Sequence, residues 1–158
     1  MITVDISYES DSMESRAPFE QVQSVIANTC TILGERSCEL SCSLVSDERM
    51  EKLNFTYRGK QESTDILSFV QSDSEEPFPL TLDGIEGERL LGDLVISLDA
   101  MERNCETFSV SAEEELTRLL VHGVLHLLGW DHETNDADEP MLQKQEELVK
   151  MVMKESNA

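Results

Sequence analysis

Residues Val121–Glu133 read VHGVLHLLGWDHE, and the rest of the chain is organised around them. The stretch holds all three histidines of a 158-residue chain, His122, His126 and His132, within eleven positions. His122 and His126 are one helical turn apart, about 6 Å of rise, so both imidazoles leave the same helix face. Gly129 reads as the helix stop, because glycine enters the left-handed conformation without a steric cost. The chain then turns back through Trp130 and Asp131 and brings His132 towards the other two. Three neutral imidazoles with no fourth protein ligand make an open Zn²⁺ site, one ion per chain. A lone histidine by an apolar helix is usually a core or surface residue, and a pair at i, i+4 arises by chance. Three in one short window, with glycine where the helix must end, favour the metal.

The spacing is that of the extended zincin motif H-E-x-x-H-x-x-G-x-x-H. Where those proteases carry their general-base glutamate, this chain has Gly123. Loss of that base removes a large factor in rate, so the ligand pattern is retained without the protease chemistry. Zinc on three neutral histidines keeps its 2+ charge and can bring a bound water to a pKa near ~7. Gly123 either leaves room for a bulky substrate or reflects tight helix packing. Asp131 can hydrogen-bond a ligand histidine or cap the turn, and the structural role is favoured.

Length predicts one domain, residues 1–158, with one core. Hydrophobic residues make up 39% of the chain, and no apolar run approaches the roughly 20 residues that span a bilayer. The start, MITVDISYESD, lacks the basic region of a signal peptide. Four cysteines at irregular spacing, with no CxxC, fit reduced thiols in a cytoplasmic protein. Cys38 and Cys42 share a strand face with Leu40 and Leu44 and read as core. Net charge is −21, from 12 basic and 33 acidic residues, which taken alone opposes a nucleic-acid partner. Arg49, Lys52, Arg58 and Lys60 nevertheless form a basic island opposed locally only by Glu51. It is either a functional patch or an ordinary helix surface.

In chain order, Met1 to Glu9 alternates as a half-buried strand, and Asp11 to Ser15 is polar and turn-like. Pro18 opens a helix to about Leu33, striped by Phe19, Val22, Val25, Ile26, Thr29 and Leu33 and ended by Gly34. Glu39 to Val45 is a second strand. Ser46 and Asp47 cap a helix to about Phe55, with Met50 and Leu53 inward. Gly59 breaks it, and a loop presents Arg58 and Lys60 at the sheet edge. Asp65 to Gln71 is the third strand. Ser72 to Arg89, with six acids, reads as a long mobile loop, either a flap or disorder. Leu90 to Leu98 suits a central strand, and a helix follows to about Thr107. Ser111 with Glu114 forms a capping box opening the histidine helix, which is apolar around most of its circumference and must be buried. After ETNDADEP, a last amphipathic helix covers Met141 to about Lys154.

Three segments, HGVLHLLGWDH (His122–His132), NFTYRGKQESTDILSF (Asn54–Phe69) and LLGDLVIS (Leu90–Ser97), closely resemble the YbeY-type endoribonucleases, bacterial and organellar rRNA maturation factors. The resemblance covers most of the chain in the same order. It implies an α+β fold, with a small mixed sheet of about four strands against helices and Zn²⁺ on three histidines. It also implies metal-dependent cleavage of single-stranded RNA, in small-subunit rRNA maturation and ribosome quality control. The partners implied are the small ribosomal subunit, with a small-subunit ribosomal protein and a ribosome-assembly GTPase, and no membrane. Carried over by position, His122, His126 and His132 match the metal ligands. Arg58 matches the arginine of the Y-R-G-K segment, with a catalytic role. Val70 departs from the pattern, standing where many members carry proline.

An arginine offers a planar fork of donors matched to the non-bridging oxygens of a phosphodiester under attack, which suits Arg58. Its bland alternative is a surface salt bridge. Three functions remain open: the zinc-dependent endoribonuclease, a metalloprotease or other hydrolase, and a non-catalytic assembly factor with a structural zinc. The acidic surface suits the last, since it would attract a basic ribosomal protein.

Overall fold

Among the described residues, alternation in the first two strands, the apolar run of the fourth and a short edge strand, the third, make four strands, and period-3.6 stripes make five α-helices. The computed structural model describes residues 1–59, 64–71 and 89–156. Lys60 and residues 72–88, most of the expected acidic loop, lie outside them. The order is β1 (Ile2–Tyr8), a 3₁₀ turn (Asp11–Ser15), α1 (Phe19–Ile32), β2 (Cys38–Val45), α2 (Asp47–Arg58), β3 (Ile66–Val70), β4 (Arg89–Ser97), α3 (Leu98–Phe108), α4 (Ala112–Leu127) and α5 (Pro140–Ser156).

The strands form one mixed sheet in the order β1-β2-β4-β3. β1 and β4 both lie parallel to β2, and β3 closes one edge antiparallel to β4, pairing Ile66 with Ile96 and Val70 with Gly92. This is the expected small mixed four-stranded sheet against helices. A bulge falls where β2 steps from Glu39 to Leu40 against Leu90 and Gly92. Gly92 has φ +140°, and a Cβ there would lie 2.1 Å from the Phe69 carbonyl oxygen. Only a residue without a Cβ lets β3 close up at this point.

The main core lies between one sheet face and α1, α4 and α5, and holds Cys42, Leu44, Leu94 and Ile96 against Ile26, Leu120 and Val124. Cys38 and Cys42 are buried free thiols, and burial pushes Cys42 up to about 12. On the other face α2 covers a smaller cluster of Val45, Met50, Leu67 and Val95. Serines cap three helices: Ser46, Ser97 and Ser111 accept the N–H groups of Arg49, Ala100 and Glu114. Among the described residues, no helix is long and apolar enough to cross a membrane.

Several boundaries differ from expectation for local reasons. α2 continues past Phe55 to Arg58 because Gly59, in the left-handed conformation at φ +71°, returns its N–H to the Phe55 carbonyl. Arg58 therefore ends a helix rather than lying in a loop. β4 stops at Ser97, whose hydroxyl begins α3, so Leu98 is helical. The polar Asp11–Ser15 turn is a 3₁₀ turn that buries Met13, and Phe19, at the first helical position of α1, is exposed. The box at Ser111 has one half: Glu114 turns to Arg118 at 3.1 Å.

Candidate metal centre and its cleft

α4 runs through the main core with Leu116, Leu120, Val121, Val124 and Leu125 buried. Each large apolar side chain so buried contributes about 1.5–3 kcal/mol, so the helix is a rigid mount. His122 and His126 project from its remaining stripe, half-buried. The helix ends as the glycine predicts. Gly129, at φ +97°, donates to the His126 carbonyl and Trp130 to that of Leu125, both at 3.0 Å. His132 follows at once. One ligand atom from each of the three histidines lies within 4.8 Å of the others, a group that can hold a metal ion.

The hydrogen bonds around the rings decide which nitrogens face inward. The Arg118 guanidinium binds Glu146 through two bonds of 2.9 Å. Glu146, an acceptor held below its ordinary pKa mainly by that arginine, receives the Gln145 amide N–H at 3.1 Å. The Gln145 carbonyl must then be the atom 2.6 Å from His122 Nδ1, so Nδ1 carries the proton and Nε2 has a free lone pair. His132 Nδ1 lies 2.7 Å from the Thr134 carbonyl, which fixes the same tautomer. His122 Nε2 and His126 Nε2 face each other at 3.0 Å. Burial is the main cause that lowers the pKa of both His122 and His126, and it favours neutral rings. Inward-facing lone pairs, with the His122 and His132 rings each backed by an outer hydrogen bond, fit a divalent cation.

The trio lines a cavity of about 1100 Å³ that Arg58 also lines. Arg58 is exposed, and among the described residues no carboxylate pairs with it. The described members of the basic island are dispersed. Arg49 lines a separate cavity on the α2 side of the sheet, and Lys52 pairs with Glu48. The acids among its described lining residues are all engaged: Asp65 accepts from Asn104, Glu115 from Asn104 and Arg118, and Glu146 from Arg118. Gly123 faces the sheet, where a Cβ would meet Leu94 Cδ2 at 2.7 Å and Ile66 Cδ1 at 2.9 Å. Tight packing, not substrate space, explains the glycine. Asp131 accepts the His132 backbone N–H at 2.8 Å, the structural role.

Sequence reasoning missed Gln145, Thr134 and the Arg118–Glu146 pair. Arg118 had a signal, since it lies one turn before His122 on the stripe the histidines occupy. Gln145 had none on an amphipathic helix, and Thr134 acts through its backbone.

Fold and centre together define a mixed-sheet α+β protein with a zincin-like three-histidine cleft. A family model described as "Endoribonuclease YbeY" matches residues 4–153. The protein named Endoribonuclease YbeY from Halalkalibacterium halodurans is 39% identical over 117 residues, 74% of each chain. Its namesake from Treponema denticola is 37% identical over 147 residues, 93% of this chain and 91% of the relative. A solution structure of a Thermotoga maritima protein matches the fold with a TM-score of 0.59 at 24% identity, covering 98% of this chain and 92% of that one. The chain belongs to the YbeY endoribonuclease family.

Proposed function

We propose that residues 1–158 act as one metal-dependent endoribonuclease domain that hydrolyses phosphodiester bonds of single-stranded RNA. The observation that carries this is one cleft holding three inward-facing imidazoles and an arginine with no carboxylate partner among the described residues. His122, His126 and His132 would hold a zinc ion, which when bound supplies Lewis acidity and activated water. Gln145 and the Thr134 carbonyl keep two of the rings in the ligating tautomer. Arg58 is the catalytic residue: its fork binds the non-bridging oxygens, where charge grows as the bond is attacked. The substrate we propose, on the resemblance of the three sequence segments, is rRNA, in small-subunit maturation and ribosome quality control in the cytoplasm. The partners proposed on the same resemblance are the small subunit, one of its proteins and an assembly GTPase.

Peptide hydrolysis is disfavoured, because the zincin base position is Gly123, packed on Leu94 and Ile66. The test is cleavage of single-stranded and duplexed forms of one rRNA fragment before chelation, after it, and after zinc is restored. The expected result is single-strand cleavage, lost with the metal and regained with zinc. Cleavage indifferent to chelation would sink the proposal.

A further inference from the structure

From the histidines a second pocket of about 490 Å³ follows β3, the edge strand. It is lined by Tyr57 and Arg58 from α2, by β3 including Phe69, and by His122 and His126 from α4. Among its described lining residues there is no aspartate or glutamate, in a chain with 33 acids. Tyr57 is 65% exposed, yet its ring meets Phe69 edge to face, with centroids 5.1 Å apart and planes at 65°. That contact fixes the tyrosine while leaving most of its ring in solvent.

A fixed, exposed aromatic ring next to a cation matches an unpaired nucleotide, with the base on the ring and the phosphate on the arginine. Arg58 sets where the phosphate lies. Beyond Tyr57 and Phe69 lies the cavity of about 740 Å³ on the α2 side, where Glu9 and Asp93 join Arg49. In the pocket beside the histidines the cation is Arg58, which has no carboxylate partner among the described residues, so a phosphate there lies on Arg58 next to His122 and His126.

We infer that Tyr57, braced by Phe69, stacks one unpaired base of a single-stranded RNA whose neighbouring phosphate lies on Arg58 beside the three histidines. The inference rests on the endoribonuclease reading and deepens it by giving a physical source of strand preference. A duplex keeps its bases stacked inside and has none to offer the ring.

The experiment uses metal-loaded protein and a short single-stranded oligoribonucleotide carrying 2-aminopurine at each position in turn. The binding phase is followed by stopped-flow fluorescence ahead of cleavage. One position should be quenched on binding. Tyr57→Ala should abolish that quench and weaken binding about tenfold, while Tyr57→Phe, which keeps the aromatic face, should stay within about twofold. An oligonucleotide abasic at that position should bind the unsubstituted protein and Tyr57→Ala equally. Unchanged binding and quench in Tyr57→Ala would overturn the inference alone, as would an equal loss on the abasic strand. Failure of the unsubstituted protein to bind any single-stranded RNA would overturn the endoribonuclease reading together with it.

Discussion

His122 shows how one side chain depends on a chain of others. Arg118 orients Glu146, Glu146 orients the Gln145 amide, and that amide determines which imidazole nitrogen faces the centre. A ligand histidine without its outer partner rotates and changes tautomer more freely, which typically lowers metal affinity ~10–100-fold. Gln145→Ala is therefore expected to weaken zinc binding by about that factor, measured by competition with a chromophoric chelator, while thermal unfolding of the metal-free protein changes far less. Undiminished zinc affinity would mean that packing alone orients His122. Gly123 makes a complementary point at this scale. A motif comparison marks it as a missing base, but its surroundings make it a contact residue between α4 and the sheet.

At the scale of elements, the starts of α2 and α3 are tied together by Asp99. It accepts the Asp47 backbone N–H and an Arg16 N–H, each at 2.9 Å. Those bonds, the Asp47 one foremost, hold its pKa below the ordinary carboxylate value. The folded pKa is thus lower than the unfolded one. Its stabilisation is complete above the unfolded value, near ~3.9, and disappears as pH falls through the folded pKa. Asp99→Asn should be less stable than the unsubstituted protein at neutral pH, and the two unfolding midpoints should converge below about pH 4. Parallel midpoints across that range would remove Asp99 from the account. Most elements were legible because their signals are local: alternation in β1 and β2, the serine caps, and glycines 34, 59 and 129, each at positive φ. The helical end of α2 was not, because Gly59 can equally break a helix early or cap it late. The Gln145–His122 bond was hidden for a different reason. It joins positions 23 apart in the chain, and nothing in either segment alone encodes the meeting of α4 and α5.

For the whole molecule, a charge of −21 has to coexist with an RNA substrate. Under the proposed reading, the cleft contacts few phosphates. Single-strand binding loses affinity with salt at a log–log slope of about −0.7 per phosphate neutralised. A cleft centred on Arg58 predicts a slope of about −1 to −2; one near −5 in equilibrium titrations would require a broad basic surface. The central claim is that the histidines hold the metal while Arg58 acts on the phosphate. It is tested most directly by measuring cleavage of a single-stranded rRNA fragment and bound zinc on the same samples of unsubstituted protein, His126→Ala and Arg58→Ala. The account predicts cleavage by the unsubstituted protein, loss of both zinc and cleavage in His126→Ala, and loss of cleavage with zinc retained in Arg58→Ala. Equal cleavage by all three, or none by unsubstituted protein carrying one zinc, would contradict it.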